Sequence, residues 1–191
     1  MSVAVEAQAP QVTDIEAQLR ELEKKVEDLG PAQENKLSMI VFSGDLDKLL
    51  AAMIIATGAA AMGMKVVLFF TFWGTAALRK PEAKVAGKDF MSKMFGWMLP
   101  RGRNKVTLSK MNMGGMGTAM MKGLMKKKNA PSPDQLFDMA AQLGVEIKVC
   151  EMSMDLMGFK REEMIDYQNL SYCGVAKFLE EANNSRIQLF I

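Results

Sequence analysis

Apolar and polar residues follow one another along this chain in blocks that predict a repeated strand–helix order. Short apolar runs typical of buried strands end at Phe42, Phe70 and Cys150, and helical patterns follow them. The predicted strands cover 37–42, 66–70, 145–150, 170–173 and 187–191. The predicted helices cover 46–61, a short segment that ends at 78, 133–143, 151–158 with a continuation through 164, and 175–182. Repeated strand–helix units favour an α/β domain with a mainly parallel five-stranded sheet and helices on both faces.

A separate helix precedes this pattern. Its apolar residues have heptad spacing, with Thr13 and Glu16 as a capping box and Gly30-Pro31 as the stop: Ile15, Leu19, Leu22, Val26 and Leu29. We assign 1–35 to this helix and its linker, and 36–191 to the α/β domain. Such a stripe needs a partner surface, so we expect self-association, with packing on the chain's own body as the alternative.

Charge is distributed unevenly along the chain. Residues 79–128 carry a net charge of +11 and nine of the nineteen methionines, whereas the rest of the chain carries −9. This basic, Met-rich insertion could form a lid, a subunit interface or a contact with anionic lipid. Nucleic acid is not expected as a partner, because few aromatic residues in the insertion are available for stacking.

The composition limits the chemistry. The chain has no histidine, which rules out Ser-His and Cys-His catalytic pairs, and its two cysteines suit a reducing cytoplasm rather than a disulfide scaffold. The N-terminus lacks the basic and apolar regions of a secretory signal. The apolar stretch 49–72 is interrupted by Gly58 and Gly63, which favours a helix and a strand over a membrane span.

Cys150 is the main candidate for chemistry. The pattern places it at the carboxyl end of a strand and the start of a helix, where ligands collect in open sheets and where a thiolate is favoured. The alternative is a small buried core residue. Cys173 also ends a strand and is either a resolving thiol for Cys150 or a packing residue.

Further residues near the same edge could form a substrate pocket: Gly44, Asp45, Trp73, Met152 and Ser153. Asp45 could instead serve only as a helix cap, and Trp73 could belong to the core. The methionines 152, 154 and 157 could suit Cu(I), but they have no histidine beside them, so no metal site is predicted.

Four blocks follow one another along the chain: Ser43–Asp45, Phe69–Gly74, Leu108–Gly117 and Cys150–Gly158. Together they resemble the DsrE/DsrF/DsrH-like family, in particular its Met-rich branch often labelled peroxiredoxin-like. The resemblance covers 37–191. It implies a flavodoxin-like three-layer α/β/α fold, homo-oligomers and sulfur transfer on a cysteine that matches Cys150. No cofactor is expected.

The leading hypothesis is a sulfur carrier or sulfurtransferase that holds a sulfane sulfur on Cys150 and passes it to an acceptor thiol. This chemistry needs an exposed thiolate and no general base. Its partners would be sulfur donor and acceptor proteins. The alternatives are a non-catalytic membrane- or protein-interaction module, and a dithiol redox protein that uses Cys150 and Cys173.

Overall fold

The computed structural model describes residues 12–28, 33–82 and 90–191, in two units that divide after Gln33. The first unit contains helix α1 (Val12–Asp28). This helix already includes Thr13, so Thr13 lies in its first turn and not at its N-cap. Ile15, Leu19 and Leu22 of the predicted seam are exposed. The side chain of Val26, and residues Leu29, Gly30 and Pro31, lie outside the described part of the chain.

The second unit is built on a five-stranded sheet in which every strand pair is parallel. The strands are β1 (Glu34–Val41), β2 (Lys65–Phe70), β3 (Glu146–Cys150), β4 (Leu170–Cys173) and β5 (Ser185–Phe190). Their spatial order is β4-β3-β2-β1-β5. The five predicted strands and the α/β class are therefore confirmed, and the sheet is wholly rather than mainly parallel.

Six α-helices of the second unit are described. They are α2 (Leu46–Ala61), α3 (Phe90–Met98), α4 (Met116–Lys127), α5 (Pro133–Gln142), α6 (Glu151–Met157) and α7 (Val175–Asn183). Short 3-10 helices form at Phe72–Leu78, Met113–Gly115 and Arg161–Glu163. Residues 83–89 of the basic, Met-rich insertion lie outside the described residues.

The strand order explains on which face of the sheet each helix lies. From β1 to β4 each strand lies beside its predecessor, so right-handed connections place α2, α5 and α6 on one face. Their apolar residues form the main core, which includes Leu49, Phe137 and Met154. The connection from β4 to β5 crosses the sheet in the opposite direction and places α7 on the other face. The result is the three-layer α/β/α architecture of a flavodoxin-like fold.

The apolar stretch 49–72 divides as the sequence predicts. Most of it belongs to α2 and β2, with a tight turn at Gly63, where φ is +79°. Among the described residues, no helix has both the length and the apolar character needed to cross a membrane.

A candidate thiol site at the carboxyl edge of the sheet

Cys150 is the last residue of β3 and directly precedes α6. Its side chain lies on the α7 face in a small cluster with Phe69, Phe178 and Ala182. The rings of Phe69 and Phe178 stack with their centroids 4.7 Å apart. Cys150 is only 3% exposed. The sequence-based expectation of an exposed sulfur is therefore wrong for this conformation, because helix α7 packs over that end of the sheet.

Cys173 lies beside Cys150 on the neighbouring strand. The two residues are direct partners in the parallel register of β3 and β4, so their side chains leave the same face of the sheet. Both are free thiols, and Cys173 is half-buried at the margin of the Cys150 cluster. Burial raises the pKa of the Cys173 thiol, while the nearby ammonium of Lys148 acts in the opposite direction. A sheet edge thus presents two adjacent thiols, of which Cys173 is the more accessible.

A cluster of buried charged side chains joins α7 to the same face of the sheet. The carboxylate of Glu181, on α7, accepts a hydrogen bond from the ammonium of Lys36, on β1. It also pairs with the ammonium of Lys148, on β3, at 3.1 Å. The hydrogen bond from Lys36 lowers the pKa of Glu181, and Lys148 adds to the effect. Lys148 is two residues before Cys150, so the cluster fixes α7 to the strand that carries the thiol.

Ser153 and Met152 have different positions at the start of α6. Ser153 is fully buried, and its Oγ accepts a hydrogen bond from the backbone N–H of Phe72 at 3.0 Å. The same hydroxyl bonds to the hydroxyl of Thr71 at 2.9 Å. Met152 is exposed. Ser153 therefore ties α6 to the end of β2 and does not face solvent.

Gly44, Asp45 and Trp73 line a cleft of about 250 Å³, together with residues that include Leu99 and Val106. Gly44 has no room for a side chain, since a Cβ would lie 2.6 Å from the carbonyl oxygen of Trp73. Cys150, Met152 and Ser153 are not among the lining residues. The structure thus brings together three of the five predicted pocket residues, but it places them in a cleft that Cys150 does not line.

Asp45 precedes α2 at the N-cap position, but its side chain makes no capping hydrogen bond. Its carboxylate accepts a hydrogen bond from the hydroxyl of Ser43 at 2.7 Å and pairs with Lys48 at 3.2 Å. The backbone position agrees with the sequence prediction, whereas the predicted side-chain cap is absent.

Two contacts hold the described part of the basic, Met-rich insertion against the domain. Helix α3 packs beside α6, where a Cβ on Gly158 would lie 1.8 Å from the Oγ of Ser92. The guanidinium of Arg79 donates to the buried carboxylate of Glu163 at 3.1 Å and anchors the start of the insertion. The cluster around Cys150 contains no described residue of the insertion.

Sequence reasoning missed Lys148, Glu181 and Phe178. Lys148 was detectable, because the alternation of side chains along β3 places it on the same face of the strand as Cys150. Glu181 and Phe178 offer no comparable signal, since both fit an ordinary amphipathic helix.

The chain also matches known proteins along most of its length. The sequence profile of the DsrE/DsrF/DrsH-like family matches residues 33–190. The uncharacterized protein YrkE of Bacillus subtilis (strain 168) is 47% identical over 159 residues, which are 83% of this chain and 98% of that protein. The sulfur carrier protein DsrE2 of Allochromatium vinosum is 35% identical over 164 residues, which are 83% of this chain and 99% of that protein.

Proposed function

Because this chain belongs to the DsrE/DsrF/DrsH-like family, we propose that it is a sulfur carrier that holds a sulfane sulfur on Cys150 and passes it to an acceptor thiol. One of its relatives carries the name of a sulfur carrier. The observation that carries the proposal is the position of Cys150, a free thiol at the carboxyl end of strand β3, next to the edge strand β4. Ligands of parallel α/β sheets bind at that edge.

The transfer needs only thiol chemistry. The thiolate of Cys150 attacks a sulfane sulfur of the donor, and the donor's sulfur–sulfur bond breaks with its electron pair on the departing sulfur. Cys150 then carries a persulfide. An acceptor thiolate attacks the outer sulfur, and Cys150 leaves as a thiolate. No general base takes part, which suits a chain without histidine.

Burial gives the carrier a further property. With only 3% of Cys150 exposed, a bound sulfur would be shielded from other thiols in solution. Loading then favours a small donor, or a partner protein that displaces α7 or the short edge strand β4. We therefore propose sulfur donor and acceptor proteins as the partners, acting at this edge of the sheet.

The test is sulfur loading followed by mass spectrometry. Incubation of the reduced protein with inorganic polysulfide is expected to add sulfur to the peptide that contains Cys150. Cys150→Ser is expected to abolish this gain with an unchanged circular dichroism spectrum. Ser171→Ala, a small change on the neighbouring strand, serves as the matched control and is expected to load normally. Loading that persists in Cys150→Ser would contradict the proposal.

We also propose that α1 mediates self-association. Its described seam residues Ile15, Leu19 and Leu22 are all exposed, although the heptad spacing suits a helix–helix contact. A stripe of this kind is stabilised when a second amphipathic helix covers it. A second copy of the chain supplies such a helix with the same spacing.

A specific observation also favours a peripheral contact between α4 and an anionic lipid surface. Met116, Met120 and Leu124 follow one another at four-residue intervals and are 70%, 67% and 50% exposed. Exposed lysines flank this stripe: Lys122, Lys126 and Lys127. Residues 90–133 contain nine Lys and Arg residues and no acid. An apolar stripe with basic flanks is the pattern of helices that lie in a membrane interface.

A further inference from the structure

The register of β3 and β4 places Cys150 directly opposite Cys173. Neighbouring strands of a sheet lie about 4.8 Å apart, which falls inside the Cα separation of about 4.4–6.8 Å that disulfides span. Both side chains belong to the same cluster on the α7 face. The two sulfurs are therefore within reach of each other after small side-chain and backbone shifts.

We propose that Cys173 is the resolving thiol of Cys150, so that a sulfur not passed to an acceptor is released as hydrosulfide and leaves a Cys150–Cys173 disulfide. This inference rests on the proposed function, since it begins from the Cys150 persulfide. It assigns to Cys173 a role in limiting how long the sulfur is carried.

The step is balanced without an external oxidant. The thiolate of Cys173 attacks the Sγ of Cys150, and a bond forms between the two Sγ atoms. The bond between the Sγ of Cys150 and the outer sulfur breaks, and the outer sulfur leaves with the electron pair as hydrosulfide. The sulfane sulfur is reduced, and the two cysteine sulfurs are oxidised. A dithiol reductant then returns both cysteines to thiols by two exchange steps.

The edge of the sheet permits the movement that this step needs. β4 has four residues and is the edge strand beside β3 in the described sheet, so Cys173 is at the end of a short edge strand. Gly174 follows it, and a Cβ there would meet no atom within 4 Å. Thiol–disulfide exchange with a dithiol reductant can open the bond again in each cycle.

The groups around Cys173 determine how the rate of this resolving step depends on pH. The charged or titratable groups that act on it are Cys150 and Lys148 of β3, Glu151 of α6, and Lys177 and Glu181 of α7. Burial raises the pKa of Cys173, against the opposing effect of Lys148. Only a small share of Cys173 is thus a thiolate at neutral pH, so resolution is slow there and accelerates as pH rises towards the pKa. At neutral pH the persulfide on Cys150 therefore persists longer, which leaves more time for an acceptor to arrive.

The experiment measures sulfide release and protein mass over time. The reduced full-length protein is first loaded with inorganic polysulfide, and the excess is removed. Wild-type protein is expected to release about one sulfide per chain and to lose two hydrogens in mass, with Cys150 and Cys173 in one cross-linked peptide. Cys173→Ser is expected to retain the extra sulfur on Cys150 and to slow sulfide release at least about tenfold. Ser171→Ala, on the same strand, is the matched control and is expected to behave as wild type.

The outcomes separate this inference from the proposed function. If Cys150 loads but wild type and Cys173→Ser keep the persulfide equally long, Cys173 has no resolving role and the sulfur carrier stands. If Cys150 never loads, the proposed function fails first. A disulfide that forms as fast in buffer without polysulfide would overturn the inference, because the sulfane sulfur would not be the oxidant. A release rate independent of pH between neutral and alkaline buffer would do the same.

Discussion

At the scale of single residues, Glu181 joins α7 to two different strands. Its carboxylate meets the ammonium groups of Lys36 and Lys148, which are 6% and 8% exposed. Removing the negative charge would leave two buried lysines without their shared partner. This loss lowers the free energy of unfolding more than the loss of a surface ion pair does. The same contact covers the thiols, since α7 also contributes Phe178 to the cluster around Cys150.

Glu181→Gln is therefore expected to lower the free energy of unfolding by about 2 kcal/mol in urea titrations at neutral pH. Glu180→Gln, next to it on the exposed side and paired with Lys177, is the matched control and should lower the free energy of unfolding clearly less, because exposed ion pairs contribute little. A larger loss for Glu180→Gln than for Glu181→Gln would show that the buried cluster does not hold α7.

The same variant tests the direction of a pH effect. Because the pKa of Glu181 is lowered in the folded state, its contribution is complete above the unfolded-state pKa of about 4.3. It is lost as pH falls through the lower folded-state value. The stability gap between wild type and Glu181→Gln should shrink below about pH 4.

At the scale of elements, local signals determined what could be predicted. The start of α5 follows from its neighbours alone, because Ser132 and Gln135 form a reciprocal capping box and Pro133 occupies the first turn. The position of Ser153 could not be predicted in the same way. Consecutive helix residues point about 100° apart, so a rotation set by packing decides that Met152 faces outward and Ser153 inward.

The role of α1 belongs to this scale, and it can be tested without removing the helix. Leu19→Ser combined with Leu22→Ser is expected to lower the molecular mass measured by light scattering, because it removes apolar area from the seam. Arg20→Ser combined with Glu23→Ser changes the same helix outside the seam and should leave the mass unchanged. An equal mass for both variants and wild type would show that the seam does not join subunits.

At the scale of the whole molecule, the sequence predicted the fold class but not the strand order. Apolar periodicity identifies strands and helices, whereas the order β4-β3-β2-β1-β5 depends on how the connections cross the sheet. The register that joins Cys150 to Cys173 depends on that order. For the same reason, the sequence placed Gly44, Asp45 and Trp73 near Cys150, although the structure puts them in a cleft that Cys150 does not line.

The charge separation of the molecule leads to a prediction about surfaces. Residues 79–128 carry +11 against −9 for the remainder, and within them α4 presents an exposed apolar stripe. We expect the protein to bind phosphatidylserine-containing vesicles in sedimentation assays and to bind phosphatidylcholine vesicles much less. Each basic residue near an anionic membrane contributes about 1 kcal/mol, so replacing Lys126, Lys127 and Lys128 by glutamine should weaken binding about a hundredfold.

The apolar stripe needs its own variant, because lysines alone would produce adsorption without insertion. Met116→Ser combined with Met120→Ser should also weaken vesicle binding, since their side chains would no longer enter the interface. Met62→Ser, at an exposed methionine just after α2, is the matched control and should bind as wild type does. If the lysine variant loses binding while the methionine variant retains it, the contact is electrostatic only. If the wild-type protein does not bind phosphatidylserine-containing vesicles, the proposed contact between α4 and anionic lipid is wrong.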